Sequence, residues 1–574
     1  MPQINLQEFC LPGSISKRLD ALRAEWKAAS NVKRLWNRDD SLWTSSGESR
    51  WLGWLNIGDP AVADPRRLLK FAEQVRGRHR HAVLLGMGGS SLCPEVLRLC
   101  FGVAPDYPDL QVLDSTDPDQ IRACEGSIDI ESTLFISASK SGSTLETALL
   151  TRYFWDRLSR RVGTERTGAQ FAAITDRGSQ LEMMAVERGF RHLLYGVPSI
   201  GGRYSALSNF GMAPAAAMGI DVAGLLSGAL AMQAACGPDA APDENPGVQL
   251  GLLLGVAALA GRDKLTLAPS PSLAPLGTWI EQLVAESTGK QGKGIVPVEG
   301  EPLAGVRSYG PDRLFVAVEL ESEQASDSDQ TFDRLGRAGH PVVRIRLQNL
   351  IDISQEFFRW EVATAVAGAV LGINPFDQPD VESAKVAARE LTDAYEARGA
   401  LPVASPFFDE GPIHLFAVPE HADRLIAAAA GRTLVSLLRA HLRTARPRDY
   451  FALLAFVCRN SETEAALARM RAAVRSRFSN ATCTGFGPRY LHSTGQLHKG
   501  GSDRGVFLML GCDTSADMRV VGRDLTFGVV KQAQAEGDFN VLQGLGHRAL
   551  RMHCTGGPAD GLRHVEAAIE AAVQ

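Results

Sequence analysis

The sequence predicts an α/β protein built on doubly wound parallel sheets. From residue 81 onwards, short segments rich in β-branched and other apolar side chains alternate with longer helical segments. Strands are expected at residues 81–85, 110–113, 133–137, 169–175 and 191–195. Parallel neighbours in a sheet need a long crossover connection, which a helix supplies. The loops that follow the strands then lie at one edge of the sheet, where such folds bind ligands.

The chain of 574 residues is too long for one hydrophobic core, because a domain usually spans ~100 to 200 residues. A stretch rich in proline, glycine and acidic residues at 237–245 indicates a boundary, and Asn245 before Pro246 predicts the cap of the next helix. The predicted parts are a tryptophan-rich strap on the first domain at 1–60, a first domain at 61–240, a second at 241–400 and a C-terminal α/β domain at 401–574.

Further strands are expected after the boundary, at residues 264–267, 314–318, 342–345 and 506–510. Residues 450–458 fit a strand or a helix, because a short run of apolar residues shows neither the two-residue repeat of a strand nor the 3.6-residue repeat of a helix.

Composition excludes several classes of protein. A net charge of −5, with 45% hydrophobic and 22% charged residues, favours neither nucleic acid nor an anionic membrane as partner. The nine cysteines form no Cys-x-x-Cys pair, which predicts reduced thiols in a cytoplasm and no zinc site. The amino terminus lacks the features of a signal peptide, and the longest apolar run, 248–260, falls short of the ~20 residues of a membrane span. We expect a soluble cytoplasmic protein.

A serine-rich loop at residues 137–147 follows the predicted strand 133–137. Ser143 and Glu146 have the spacing of a capping box, so a helix should begin near Ser143 with its positive end toward the loop. Hydroxyls, a lysine and unpaired N–H groups at a helix N-terminus are typical of a phosphate site. The alternative is an ordinary polar turn with a well-capped helix.

Two glycine loops also follow predicted strands. Residues 86–91 (GMGGSS) come after the first strand, and residues 200–205 (IGGRYS) place Gly202 and Arg203 just before a helix. Adjacent glycines let the backbone approach a ligand closely. The alternative for the second loop is a tight turn with a solvated arginine.

Five tracts in the chain match one family in order. They are residues 86–90, 139–147, 201–205, 286–290 and 374–382, the last followed by Lys385. On these tracts the chain resembles the phosphoglucose isomerases, which are built of two sugar isomerase (SIS) domains. Residues 487–501 (GPRYLHSTGQLHKGG) are similar to the isomerase portion of fused transaldolase and phosphoglucose isomerase proteins.

The resemblance implies interconversion of glucose 6-phosphate and fructose 6-phosphate through a cis-enediol, without cofactor or metal. The resemblance makes Glu286 the acid and base and implies that Arg203 lies near the enediolate. It also implies that Gln378 contacts the substrate and that Lys385 assists ring opening. The residues implied in substrate binding around the phosphate are Gly89, Ser90, Ser139, Lys140, Ser141, Thr144 and Gly202.

One feature departs from the family pattern. Members of the family have a ring-opening histidine between the glutamate and the glutamine, where this chain has only His340, which is expected in a turn before a strand. Either Lys385 acts alone, or the histidine comes from elsewhere, with His492 and His498 as candidates. In the family this histidine crosses a dimer interface, so the resemblance implies a possible homodimer.

Two other functions remain open on the sequence. A dinucleotide-dependent oxidoreductase would use Gly86, Gly88 and Asp114, although Ser91 stands where the third glycine belongs. A non-catalytic sugar phosphate sensor on the same fold would bind the phosphate without needing Glu286.

Overall fold

The computed structural model describes residues 2–323, 327–402, 404–514 and 516–574. This part of the chain contains three sheets, of which one is entirely parallel and two carry antiparallel edge strands. The fold class predicted from the sequence, α/β with parallel sheets, is confirmed.

The strands alternate with helices through most of the chain. In chain order the strands are β1 Leu6–Cys10, β2 His81–Gly86, β3 Asp109–Leu113, β4 Thr133–Ala138, β5 Phe171–Thr175, β6 His192–Tyr195, β7 Lys264–Pro269, β8 Val296–Val298, β9 Arg313–Leu320, β10 Val342–Leu347, β11 Phe408–Glu410, β12 Ile413–Phe416, β13 Tyr450–Phe456, β14 Ala481–Phe486, β15 Gly505–Cys512 and β16 Arg548–Cys554.

The helices supply the crossover connections between parallel strands and cover the sheets. They are α1 Gly13–Ala28, α2 Asn31–Trp36, α3 Pro65–Val75, α4 Leu92–Phe101, α5 Pro118–Gly126, α6 Leu145–Val162, α7 Thr164–Thr167, α8 Gln180–Glu187, α9 Asn209–Ala217, α10 Val222–Ala235, α11 Pro246–Leu259, α12 Leu276–Thr288, α13 Asp327–Arg337, α14 Ile353–Leu371, α15 Glu382–Arg398, α16 Pro419–Ala428, α17 Leu434–Leu442, α18 Ser461–Phe478, α19 Gly495–Gly500, α20 Phe527–Gly544 and α21 Pro558–Val573.

The first sheet has the order β3-β2-β4-β5-β6, the second β1-β10-β9-β7-β8 and the third β11-β12-β16-β15-β13-β14. The ambiguous segment 450–458 forms a strand, β13, which pairs in parallel with β14 and β15 in the middle of the third sheet. Its side chains are buried along its whole length, which explains why the sequence shows an unbroken apolar run there.

The N-terminal segment contacts more than the first sheet, on which the strap was expected. Strand β1 pairs antiparallel with β10 and so covers an edge of the second sheet, with Leu6 opposite Arg346. The indole of Trp43 donates to the Ala365 carbonyl of α14 at 2.8 Å, while Leu52 forms a bridge with Ile200 beyond the end of β6. The segment therefore joins the first two sheets, and the domain limits stay a prediction.

Helices α11 and α14 lie at the centre of the shared core. The predicted cap of α11 is confirmed, because the Asn245 side chain accepts from the Val248 N–H at 3.0 Å and Pro246 occupies the first turn. Helix α14 is buried on nearly all sides, and one continuous apolar cluster extends through the first two sheets and their helices.

The third sheet is attached to the first through buried ion pairs. Arg489, three residues after β14, contacts Asp114 at the end of β3 at 2.9 Å and also contacts Glu95 of α4. The chain around Arg489 is thereby held over the carboxyl edge of the first sheet. Among the described residues, no helix combines the length and apolar character that crossing a membrane requires, and no cluster of three or more potential metal ligands occurs.

Glu361 is a buried carboxyl group in the middle of α14. It is fully buried, and neither of its oxygens has a hydrogen-bond partner among the described residues. Burial raises its pKa well above the usual value of 4.5. The folded protein therefore holds this proton to higher pH than the unfolded chain does, and stability falls as the pH rises above about 4.5.

We expect Glu361→Met to stabilise the protein, because it removes an unsatisfied polar group that costs ~1–3 kcal/mol. The gain should be larger at pH 8 than at pH 5, since only the wild type must take up a proton on folding once its unfolded carboxyl group is ionised. Urea unfolding midpoints at both pH values measure the effect, with Glu390→Met at an exposed position of α15 as control. A gain that does not change with pH would contradict the assigned protonation.

Candidate active site

The serine-rich loop leaves the carboxyl end of β4 and turns into α6. Ser139 Oγ and Thr144 Oγ1 lie 3.0 Å apart, and Ser139 Oγ accepts from the Gly142 N–H at 3.1 Å. Gly142 has φ +71°, and a Cβ there would lie 2.3 Å from the Leu181 nitrogen, so only glycine fits. The loop therefore curls back on itself and keeps its hydroxyls close together.

The predicted capping box at Ser143 is wrong. Helix α6 begins at Leu145 after Thr144, and the Thr144 side chain forms no capping hydrogen bond. Glu146 is instead engaged with residues far along the chain. The N–H groups of the first helical turn consequently have no side-chain cap, which leaves the positive end of α6 open to an anion.

Lys140 is oriented away from the hydroxyls. Its ammonium group donates to the Asp176 carboxylate at 2.5 Å and to the carbonyls of Val197 and Pro198 at 3.2 and 3.0 Å. These three partners use all three N–H bonds of a lysine. Lys140 therefore ties the serine loop to the loops after β5 and β6, and its charge lies beside the loop rather than on a ligand.

A cavity of about 400 Å³ opens beside this loop. Its wall includes Ser141, Ser143, Thr144, Lys385 and His492. Thus the first sheet, helix α15 and the chain after β14 each contribute to one cavity. The structure brings together the predicted phosphate loop, the predicted lysine and one of the two candidate histidines.

His492 is held by a buried carboxylate from α6. Its Nε2 lies 3.0 Å from Glu146 Oε1, and the Gln534 amide of α20 donates to the same oxygen at 2.7 Å. Burial alone would raise the pKa of Glu146, but the adjacent His492 and the hydrogen bonds lower it. An ionised Glu146 fixes the orientation of the imidazole ring and its tautomer.

His498 lies apart from the cavity and is not among the residues that line it. Its side chain is packed between aromatic rings of the third sheet, and Nδ1 lies 3.0 Å from the Tyr450 hydroxyl. Burial and the neighbouring Lys499 lower its pKa to about 3. Its position is that of a neutral packing residue. His340 lies in the turn before β10, as the sequence predicted, and its ring packs against Phe315 in the interior.

Glu286 lies near the end of α12 beside a buried arginine. Arg203 Nη1 is 3.3 Å from Glu286 Oε1, and the guanidinium also donates to the Ser287 hydroxyl at 2.8 Å. Further donations go from Nη1 to Gln378 Oε1 at 3.0 Å and from Nη2 to the Pro375 carbonyl at 2.8 Å. The predicted trio of Glu286, Arg203 and Gln378 therefore meets in one hydrogen-bonded group.

Gln282 connects this group to the cavity. Its amide donates to Glu286 Oε2 at 3.1 Å and to the His492 carbonyl at 2.8 Å. Glu286 and Arg203 are not among the residues that line the 400 Å³ cavity, so Gln282 is the residue that links them to the His492 backbone. The first glycine loop closes over the same region, since a Cβ on Gly89 would lie 2.0 Å from the Gly202 carbonyl oxygen.

Lys290 braces the loop that carries Gln378. Its ammonium group donates to the Asn374 carbonyl at 2.5 Å and pairs with Asp377 at 2.8 Å. Burial and the nearby Arg203 lower the pKa of Lys290 to about 7, even though Asp377 acts in the opposite direction.

Sequence reasoning missed Glu146, Gln282 and Gln534 as members of the site. Glu146 was assigned to a capping box, and Gln282 and Gln534 carry no local signal because their partners are distant in sequence. The only available signal was helical spacing, since Gln282 lies one turn before Glu286 and must share its face.

The geometry disfavours the dinucleotide alternative. That function needs a free carboxylate at the end of the second strand, but Asp114 is buried and bound by Arg489 at 2.9 Å and by the Ser91 hydroxyl at 3.4 Å. Burial raises the pKa of Asp114, although Arg489 opposes this shift. Asp114 therefore has a structural partner where a ribose would have to bind.

The chain is similar to known proteins of one family. Residues 70–298 match the phosphoglucose isomerase family. A probable glucose-6-phosphate isomerase of Natronomonas pharaonis is 30% identical over 387 residues, covering 60% of this chain and 86% of that protein. The glucose-6-phosphate isomerase of Rubrobacter xylanophilus is 30% identical over 368 residues, covering 55% and 84% of the two chains.

The fold is also shared with a solved structure. A hypothetical protein from Thermus thermophilus superposes with a TM-score of 0.58 at 24% identity, covering 67% of this chain and 99% of that one. The extent and identity of the match to the named relatives show that this chain is an enzyme of the glucose-6-phosphate isomerase family.

Proposed function

We propose that the enzyme interconverts glucose 6-phosphate and fructose 6-phosphate through a cis-enediol, with Glu286 moving the proton between C2 and C1. The observation that carries the proposal is the hydrogen-bonded path from the phosphate-loop cavity through His492 and Gln282 to the Glu286–Arg203 pair. This path connects candidate anion-binding groups, a histidine and a carboxylate, which supports their action on one hexose phosphate.

The phosphate group binds at the N-terminus of α6. A phosphate monoester carries nearly two negative charges and accepts several hydrogen bonds, which the hydroxyls of Ser139, Ser141 and Thr144 and the uncapped N–H groups supply. Gly89, Ser90 and Gly202 line the approach of the sugar. Lys140 holds the serine-rich loop in place through its ion pair with Asp176. Its positive charge lies beside this loop and attracts the phosphate without contacting it directly.

Glu286 acts on the open-chain sugar. Its carboxylate takes the proton from C2, and the C2–H electron pair becomes the C1–C2 double bond while O1 gains negative charge. The hydroxyl proton moves from O2 to O1, and the protonated Glu286 then returns its proton to C1, which leaves a ketone at C2. Arg203 stabilises the negative charge on the enediolate oxygens.

His492 and Lys385 open the sugar ring. Because Nε2 of His492 faces Glu146, Nδ1 is the nitrogen that exchanges a proton with the ring oxygen. Lys385 lines the same cavity as His492, and Gln378, which is hydrogen-bonded to Arg203, contacts the sugar hydroxyls. Both ring-opening groups come from the same chain as Glu286, so a homodimer is not needed to complete the site.

We expect Glu286→Gln to lower kcat by at least ~100-fold, the usual contribution of a positioned acid or base. A coupled assay with fructose 6-phosphate measures it, and Glu462→Gln at an exposed position of α18 serves as the control. Unchanged turnover in the Glu286 variant would contradict the mechanism and would favour a sugar phosphate sensor.

Co-expression of two inactive variants tests whether His492 acts within its own chain. Glu286→Gln and His492→Gln chains, expressed together with different affinity tags, should give no more activity than the two variants alone. If His492 crossed a dimer interface, mixed dimers would contain one intact site each, and roughly a quarter of wild-type activity would return. That recovery, with mixed dimers verified by tandem purification, would refute the assignment within one chain.

We expect Thr144→Val to raise KM by at least ~10-fold and to change kcat little, because it removes one hydroxyl from a charged group remote from the reacting carbons. The change should barely affect stability, since the Thr144 side chain does not cap α6. Thr164→Val, at an exposed helix start, is the matched control. An unchanged KM would place the phosphate elsewhere.

A further inference from the structure

A second cavity lies at the carboxyl edge of the third sheet. It has a volume of about 330 Å³ and lies against the ends of β13 and β15, near Phe456 and Cys512. In this sheet β14 and β15 lie on opposite sides of β13, so the chain reverses its direction of winding between β13 and β15. Such reversal points form the crevice in which open α/β sheets bind ligands.

The cavity contains a buried arginine without a hydrogen-bond partner. Arg551 of β16 is 8% exposed and donates no hydrogen bond to any residue that the structure describes, and its nearest carboxylate, Glu536, is 3.9 Å away. Its guanidinium lies 4.0 Å from the centre of the Phe416 ring on the neighbouring strand. Burying a guanidinium group whose N–H donors have no acceptor costs folding free energy, and a ligand that accepts these hydrogen bonds would offset this cost.

The acidic groups in the same wall are already satisfied. Asp513 accepts from His553 at 2.8 Å and from the Gly556 N–H at 3.3 Å. Asp517 accepts from the N–H groups of Met518 and Gly528, both at 2.7 Å. Neither carboxylate accepts from Arg551, so the donors of Arg551 call for another acceptor with negative charge.

Two further residues of α20 border this site. Lys531 lines the cavity and contacts Asp117, the residue before α5, at 3.0 Å. Gln532 lies at the exposed rim. The Phe416 ring, 4.0 Å from the Arg551 guanidinium, restricts the movement of this group, and a guanidinium can bind an oxyanion through two parallel N–H groups.

We propose that this cavity binds a small anionic metabolite through one carboxylate or phosphate group held by Arg551. The volume is at the small end for ligand cavities, which limits the ligand to a few carbon atoms beyond its anionic group. This site is separate from the substrate cavity, since Lys531 and Gln532 line one while Gln534, on the same helix, donates to Glu146 of the other.

Calorimetric titration of the full-length protein tests the proposal. Inorganic phosphate and succinate are titrated separately into protein saturated with fructose 6-phosphate, which fills the substrate site. We expect at least one probe to bind one site per chain, and binding in Arg551→Gln to be at least ~10-fold weaker, as lost charged hydrogen bonds require. Arg477→Gln, at an exposed position of α18, should bind as the wild type does.

Which probe binds identifies the anionic group of the ligand. Absence of binding by both probes, or equal binding in Arg551→Gln, would overturn the proposal. If fructose 6-phosphate does not bind the substrate site, phosphate should bind there as well, and Arg551→Gln should keep this second binding event. Failure of the proposed function would therefore be distinguished from failure of the anion site.

A second pair of variants keeps the test decisive if Arg551→Gln fails to fold, which circular dichroism would reveal. Gln532→Glu and Gln532→Lys alter the charge at the exposed rim and keep Arg551 itself, although both remove the hydrogen bond that the Gln532 amide donates to Glu536 at 3.0 Å. The glutamate should weaken anion binding several-fold and the lysine should strengthen it. Identical affinities in the two variants would count against the site.

Discussion

The arrangement of the site depends on a buried cluster of ion pairs between the first and third sheets. Arg489 and Arg459 both contact Glu95, and Arg489 also contacts Asp114. Burial alone would raise the pKa of Glu95, but the two guanidinium groups hold it well below its usual range. A buried charge that loses its partner costs several kcal/mol. The cluster therefore fixes the turn after β14 over the first sheet, and His492 follows three residues later.

The sequence alone predicted those structural features that depend on residues close together in the chain. The alternation of strands and helices follows from side-chain pattern, and the cap of α11 follows from Asn245 before Pro246, two adjacent residues. The serine loop was also predictable as a hydroxyl-rich loop before a helix, and its proposed role as an anion site follows from this pattern. Its details were not, because the capping partner proposed for Ser143, Glu146, is drawn to His492 by a stronger, charged interaction.

The remaining features depend on contacts between distant segments. Nothing near Lys140 indicates that Asp176 and two carbonyls would take all its donors. His492 and His498 lie in one tract of similar polarity, yet one reaches the cavity and the other packs under aromatic rings. Strand β1 was missed for the same reason, since its pairing with β10 joins residues more than three hundred positions apart.

Helix α20 connects the candidate active site to the cavity that contains Arg551. Gln534 accepts from the Thr116 hydroxyl and donates to Glu146, both at 2.7 Å, so the helix supports the carboxylate that orients His492. On its other side, Lys531 borders the Arg551 cavity. A shift of a rigid helix moves both sides together, so an anion that draws Lys531 away from Asp117 would change the hydrogen bond at Glu146. The third sheet thus supplies His492, the proposed ring-opening group, and helix α20 physically connects this histidine to the proposed anion cavity.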